Sequence, residues 1–164
     1  MSVIVSNTTP INYLVLIDHI AVLRHLYARV IIPQAVFGEL QADGTPAGVR
    51  AWIASHPDWL EVRTVTVPLN TSLAFLDLGE REAISLAKEL AADALIIDEP
   101  DGREAAKRQG LRVIGTLRVL YDAAEAGLCN LEQAYEHLQQ TTFRAHPALY
   151  RAFRNLPCRE MFQN

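Results

Sequence analysis

Apolar residues along this chain fall into two alternating patterns, short β-branched runs and longer stretches in which they recur at helical spacing. Val3-Ile4-Val5 predicts a strand, Ser6-Asn7-Thr8-Thr9-Pro10 a turn, and Ile11, Leu14, Val15, Ile20, Leu23 and Leu26 a following helix. Val30-Ile31-Ile32 predicts a second strand, and Pro33, with its fixed φ, suits the start of a helix over Gln34 to Leu40. Asp43-Gly44-Thr45-Pro46 breaks the chain before an amphipathic helix from Ala47 to Ser55, and Trp59 to Val67 alternates apolar and polar as an edge strand does. Leu78 to about Ala91 predicts a strong helix with Asp77 as its cap. Ala94-Leu95-Ile96-Ile97 is apolar throughout, which implies burial on both faces and hence a parallel sheet.

A helix over Gly102 to Gln109 with Gly110 as its stop comes next, then a buried strand at Arg112-Val113-Ile114. Thr116 is placed to cap a helix over Leu117 to Ala126, ended by Gly127, and helices follow at Leu131 to Gln140 and Pro147 to Asn155. Strands alternating with helices over the whole length specify α/β architecture, three layers α/β/α around a central parallel sheet. A parallel pair needs a crossover, and the crossover helices then cover both faces. The expectation is one domain over residues 1–164, with a short C-terminal helical extension at about 141–164.

Composition narrows the function. At 164 residues and 50% hydrophobic content the chain suits one two-sided core, and a net charge of -4 excludes a basic-tail nucleic-acid binder, so any RNA contact must be local. Cys129 and Cys158 are the only cysteines. No Cys or His pair has zinc-ligand spacing, so a reducing cytoplasm is expected rather than a disulfide framework or zinc site. The N-terminus lacks the flank and apolar run of a signal peptide, and no apolar segment nears the roughly 20 residues that span a bilayer, so a soluble protein without a membrane partner is expected.

Ligands of open α/β sheets bind beyond the carboxyl ends of the strands. Asn7 with Thr8, Asp98 with Glu99, and Thr116 follow the apolar runs directly, and Asp101 lies one turn further on near a helix N-terminus. Asp98 is the strongest single signal, because a carboxylate ending a buried strand is directed into the cleft. The alternative for it and for Asp101 is helix capping or dipole complementation. Glu80 falls on the same helical stripe as Ala83, Ile84, Ala87 and Leu90, so it faces the core, unless it is only a first-turn acid drawn to the dipole. Glu39 borders the apolar face of Val36 and Leu40 near a helix C-terminus, where the dipole opposes negative charge, and its alternative is plain surface.

Were these acids to converge, carboxylates about 4 Å apart would repel by roughly 4 kcal/mol per pair at an effective dielectric of about 20. Shared protons or a divalent cation must offset that, and an all-oxygen shell suits Mg²⁺ or Mn²⁺. Such an ion activates water and stabilises the charge developing on a phosphodiester. A receiver or phosphotransfer domain fits poorly, since no acidic pair follows the first strand and no lysine follows Val113-Ile114. A phosphatase with a nucleophilic aspartate after strand one fails likewise at Asn7.

Five segments occur in an order that resembles PIN domains, most closely a VapC-like bacterial and archaeal branch. They are Val3 to Pro10, Ile31-Ile32-Pro33-Gln34-Ala35-Val36-Phe37-Gly38-Glu39-Leu40, Leu78-Gly79-Glu80-Arg81-Glu82-Ala83-Ile84, Leu95-Ile96-Ile97-Asp98-Glu99 and Val113-Ile114-Gly115-Thr116, and the likeness as a whole extends from about Val3 to Asn155. The resemblance implies a metal-dependent endoribonuclease with an acidic Mg²⁺ or Mn²⁺ site, acting on RNA as the toxin of a toxin–antitoxin pair, a homodimer neutralised by a small antitoxin protein. It carries the family's acids onto Glu39, Glu80 and Asp98, with Asp101 as a fourth and Thr8 or Thr116 as hydroxyl partners. The family's usual first aspartate falls at Asn7, which can offer a cation its amide oxygen but no charge. The alternative is therefore a catalytically weak PIN-fold protein that binds RNA or a partner. Thr8, Arg103, Lys107, Arg108 and Arg118 are candidates for RNA phosphate contacts, with solvated helix surface the plain alternative for the basic ones.

Overall fold

The computed structural model describes residues 2–145 and 147–156. The elements run β1 (Ile4–Ser6), α1 (Thr8–Leu16), α2 (Val22–Tyr27), β2 (Val30–Pro33), α3 (Gln34–Gln41), α4 (Ala47–Ala54), β3 (Leu60–Arg63), α5 (Leu78–Glu89), β4 (Ala94–Ile96), α6 (Pro100–Arg108), β5 (Val113–Ile114), α7 (Thr116–Glu125), α8 (Leu131–Gln139) and α9 (Pro147–Arg154), with a single 3₁₀ turn at Thr71–Leu73. The five strands form one sheet in the order β3-β2-β1-β4-β5. Every pairing is parallel, with Ile4 opposite both Val30 and Ala94.

Strand alternation divides the core. Ile4, Val30, Ile32, Ile96 and Ile114 face a cluster built with α1, α2, α4, α7 and α8. Val5, Ile31, Leu95 and Ile97 face the other way, against Ala83, Ile84 and Ala87 of α5 and Ala105 and Ala106 of α6. The result is the three-layer α/β/α arrangement around a parallel sheet. The strand order reverses between β1 and β4, so their carboxyl ends open the crevice where such sheets take ligands.

Several boundaries differ from the periodicity. The first helical stretch is two helices, because Asp18 takes φ 61°, a left-handed conformation that aspartate tolerates, and turns the chain between them. The edge strand β3 stops at Arg63, and Thr66 turns instead to Glu89, which accepts from both its N–H and its hydroxyl. Gly115, in extended conformation, precedes the first turn of α7, and Thr116 is its first helical residue, so Thr116 does not cap that helix. Gly110 and Gly127 sit at φ 82° and 74° where α6 and α7 end, as their stop positions require. Cys129 is a free cysteine, and Cys158 lies outside the described residues along with the rest of 157–164. Among the described residues no helix is long and apolar enough to cross a membrane.

Candidate functional site

The polar residues at the mouth of the β1/β4 crevice come from four separate stretches. Asn7 follows β1 with 3% exposure, and its N–H donates to the Ile96 carbonyl of β4 at 2.9 Å. The side-chain Nδ2 donates to Glu99 Oε2 at 3.1 Å, while Oδ1 is buried with no donor among the described residues. Thr9 donates its hydroxyl to the other oxygen of Glu99, so β1 and α1 hold that carboxylate at both ends. One residue earlier, Thr8 donates to Glu39 Oε2. The Gly79 N–H donates to Glu39 Oε1 at 3.1 Å, which ties α3 to the first turn of α5. A Cβ on Gly79 would stand 2.5 Å from Glu39 Oε1, so the close approach requires glycine.

Glu80 is held by a capping box. Its N–H donates to Asp77 Oδ1 at 2.8 Å, and Asp77 N–H donates back to Glu80 Oε2 at 3.1 Å. The remaining oxygen, Oε1, lies against Gly102 of α6, where an added Cβ would come within 2.9 Å. Capping therefore occupies one oxygen and leaves the other in the crevice.

Burial and mutual repulsion set the charge states. Glu80 is 5% exposed, and its pKa is pushed up to about 7, chiefly by burial and further by the negative charges of Asp77, Glu99 and Glu39. Glu39 is also raised, first by burial, with the Thr8 and Gly79 hydrogen bonds opposing and Asp77 and Glu99 adding to the rise. Because the folded pKa of Glu80 exceeds the usual 4.5, the folded state keeps a proton that the unfolded chain releases. Stability of the metal-free protein from this group is thus greatest below pH 4.5 and falls as pH rises through 7. Thermal melts in EDTA are expected to show Glu80→Gln gaining on the native protein between pH 5 and 8, by roughly 1–2 kcal/mol after solvent screening. A constant difference across that range would contradict the shifted carboxyl.

Asp98 faces elsewhere. Its Oδ1 accepts from the Thr116 N–H at 2.8 Å and its Oδ2 from the Thr116 hydroxyl at 2.6 Å, so it caps α7 from outside the helix. Burial raises its pKa, against the Thr116 bonds and the Arg103 guanidinium. Arg103 donates to the Ile97 carbonyl at 2.9 Å, and Gly115 lets both side chains close in, since a Cβ there would be 2.9 Å from Asp98 Oδ1. Asp101 is exposed in the first turn of α6. The crevice therefore gathers Asn7, Thr8, Glu39 and Glu80, sets Asp98 with Thr116 beside it, and leaves Asp101 exposed on α6. Glu99, which the sequence sets only beside Asp98 at the end of a buried run, joins this group through Asn7 and Thr9. Arg103, Lys107 and Arg118 line a neighbouring cavity beyond β5.

Among the described residues no three His, Cys, Asp or Glu side chains stand close enough to grip one ion as placed. A family model described as a PIN domain matches residues 3–156. The chain belongs to the PIN-domain family. PIN domains are generally nucleases that work with divalent metal ions, and the parallel sheet with its acidic crevice suits that family. Among solved structures, a PilT N-terminus domain protein from the archaeon Sulfolobus solfataricus P2 is 18% identical, with a TM-score of 0.47 and coverage of 89% of this PIN domain and 100% of that chain. No curated protein matches the sequence.

Proposed function

We infer that this PIN domain is a metal-dependent endoribonuclease, hydrolysing RNA phosphodiesters in the crevice beyond β1 and β4. One observation carries the reading: the buried Asn7 Oδ1 lacks a donor, and it sits on a residue hydrogen-bonded to Glu99, whose charge reaches both Glu39 and Glu80. An orphaned carboxamide oxygen beside crowded carboxylates suits a cation. Mg²⁺ and Mn²⁺ fit, because Mg²⁺ commonly takes one or two carboxylates and keeps several waters. Asn7 Oδ1 and Glu80 Oε1 would hold it directly, with Glu39 and Glu99, whose oxygens already accept hydrogen bonds, reaching it through its waters. Once bound, such an ion activates water and neutralises charge developing on the phosphodiester.

The remaining roles belong to the chain. Thr8 and the Gly79 N–H fix Glu39, Asp77 fixes Glu80, and Thr9 with Asn7 fixes Glu99. Asp98 acts as a positioning residue through Thr116. The toxin role, the small antitoxin, the homodimer, the cytoplasmic setting and a single domain over residues 1–164 rest on the family resemblance and the sequence pattern. RNA cleavage in Mn²⁺ or Mg²⁺, lost in EDTA and restored by added metal, tests the activity. Cleavage that persists in EDTA overturns it.

A second reading, a PIN fold that binds RNA with weak catalysis, is favoured by the missing charge at Asn7. Asn7→Asp discriminates. The variant loses the amide donor to Glu99 and adds a like charge, so its metal-free stability is expected to fall by about 1–3 kcal/mol while Mn²⁺ affinity rises. A large gain of cleavage in Asn7→Asp supports the weak-catalyst reading, and robust native activity removes it.

A further inference from the structure

A cavity of about 620 Å³ lies beyond the free edge of β5 rather than in the acidic crevice. Its walls are α6, β5, the start of α7, residues 143–145 and α9. Five basic side chains line it, Arg103, Lys107, Arg112, Arg118 and Arg144, and two aromatic ones, Phe143 and Phe153. Arg103 and Lys107 are four residues apart and so share one face of α6. Arg118 is paired with Asp122 at 2.9 Å. Against these cations stand Asp98 and Glu104. In a chain of net charge -4 this is a local concentration of positive charge.

We propose that this groove holds an unpaired RNA strand flanking the phosphate to be cleaved, with backbone phosphates on the basic residues and bases against Phe143 and Phe153. The proposal rests on the nuclease reading and deepens it. Three observations carry it. The crevice around Glu39, Glu80 and Glu99 is crowded with negative charge and repels a polyanion, so affinity must come from cations nearby. Continuity is built in, because Asp98 lines the groove and the next residue, Glu99, belongs to the crevice. The aromatic rings are half-buried, Phe143 edge-on to Tyr13 and Phe153 tilted on Tyr121, so only a splayed-out base can reach them. A duplex keeps its base faces stacked inside.

The test is fluorescence anisotropy of a labelled oligouridine of about ten nucleotides in EDTA, with the native protein and with Arg112→Glu/Arg144→Glu. Both arginines are exposed. The native protein is expected to prefer the single strand to an RNA duplex of equal length. The double variant is expected to bind the strand at least tenfold more weakly, with a log Kd against log salt slope lower by about 1.4, from roughly 0.7 per phosphate. Arg112→Gln/Arg144→Gln, melting as the native protein does, gives a smaller loss in the same direction and guards against a folding defect. Equal affinity of native and variant proteins, equal affinity for duplex, or binding of a polyglutamate peptide in place of RNA overturns the proposal. Cleavage in Mn²⁺ is read separately. Strand binding without cleavage removes the nuclease reading and keeps the groove, whereas cleavage with no effect of charge reversal removes the groove alone.

Discussion

Glu80→Gln is expected to lower RNA cleavage about a thousandfold while leaving the fold intact. Glutamine serves at the third position of a capping box as well as glutamate does, so the bond from the Asp77 N–H survives. What disappears is one negative charge in a buried crevice shared with Glu39, Asp77 and Glu99. That charge costs the metal-free protein stability and is useful only if something positive arrives. Loss of a single preorganised group aimed at developing charge commonly costs a hundredfold to a thousandfold, and a direct metal ligand belongs at the upper end. Single-turnover cleavage measured beside a thermal melt separates the two consequences, with activity down and metal-free melting temperature up at pH 8. An active Glu80→Gln removes this residue from the centre, and an unfolded one contradicts the capping argument.

The second large effect is a contrast between neighbours. Glu99→Gln is expected to cut cleavage a hundredfold or more, whereas Asp98→Asn stays within about tenfold of the native rate and costs roughly 1 kcal/mol of stability. The bonds from Asn7 and Thr9 aim Glu99 at the β1 side of the crevice, where its charge reaches Glu39 and Glu80. Asp98 is engaged by the Thr116 N–H and hydroxyl and holds the start of α7, a role worth about what a helix cap is worth. Steady-state cleavage and melts on both variants decide between them. The reverse order of effects would make Asp98 the acid of the centre.

This pair also marks how far the sequence reaches. The layered α/β class, the parallel sheet, the Asp77 cap and the two glycine stops follow from apolar periodicity and residue chemistry, and the structure has them all. Asp98 stood out because it ends a buried run, yet consecutive residues of an extended strand point to opposite faces. Ile96 faces the α7 layer and Ile97 the α5 and α6 layer. Continued to Asp98, that parity sends it toward α7, a signal already present in the chain, whereas Glu99 stands at the start of α6 and turns to Asn7 and Thr9. The signal needed knowledge of which helix covers which face, and that comes only with tertiary packing. Glu39 against Gly79 is likewise a long-range contact, 40 residues apart, that no local pattern encodes. The groove beyond β5 depends on α9 folding back beside α7, which periodicity alone leaves open between the chain's own sheet and a second subunit.

The account stands on a divalent ion being held by the Asn7 carboxamide oxygen and the Glu80 carboxylate, with Glu39 and Glu99 beside it. Isothermal titration of the metal-free protein with Mn²⁺ addresses this without any substrate. One saturable site is expected in the native protein, lost in Glu80→Gln and retained in Asp98→Asn. No binding by the native protein, or undiminished binding by Glu80→Gln, would contradict it.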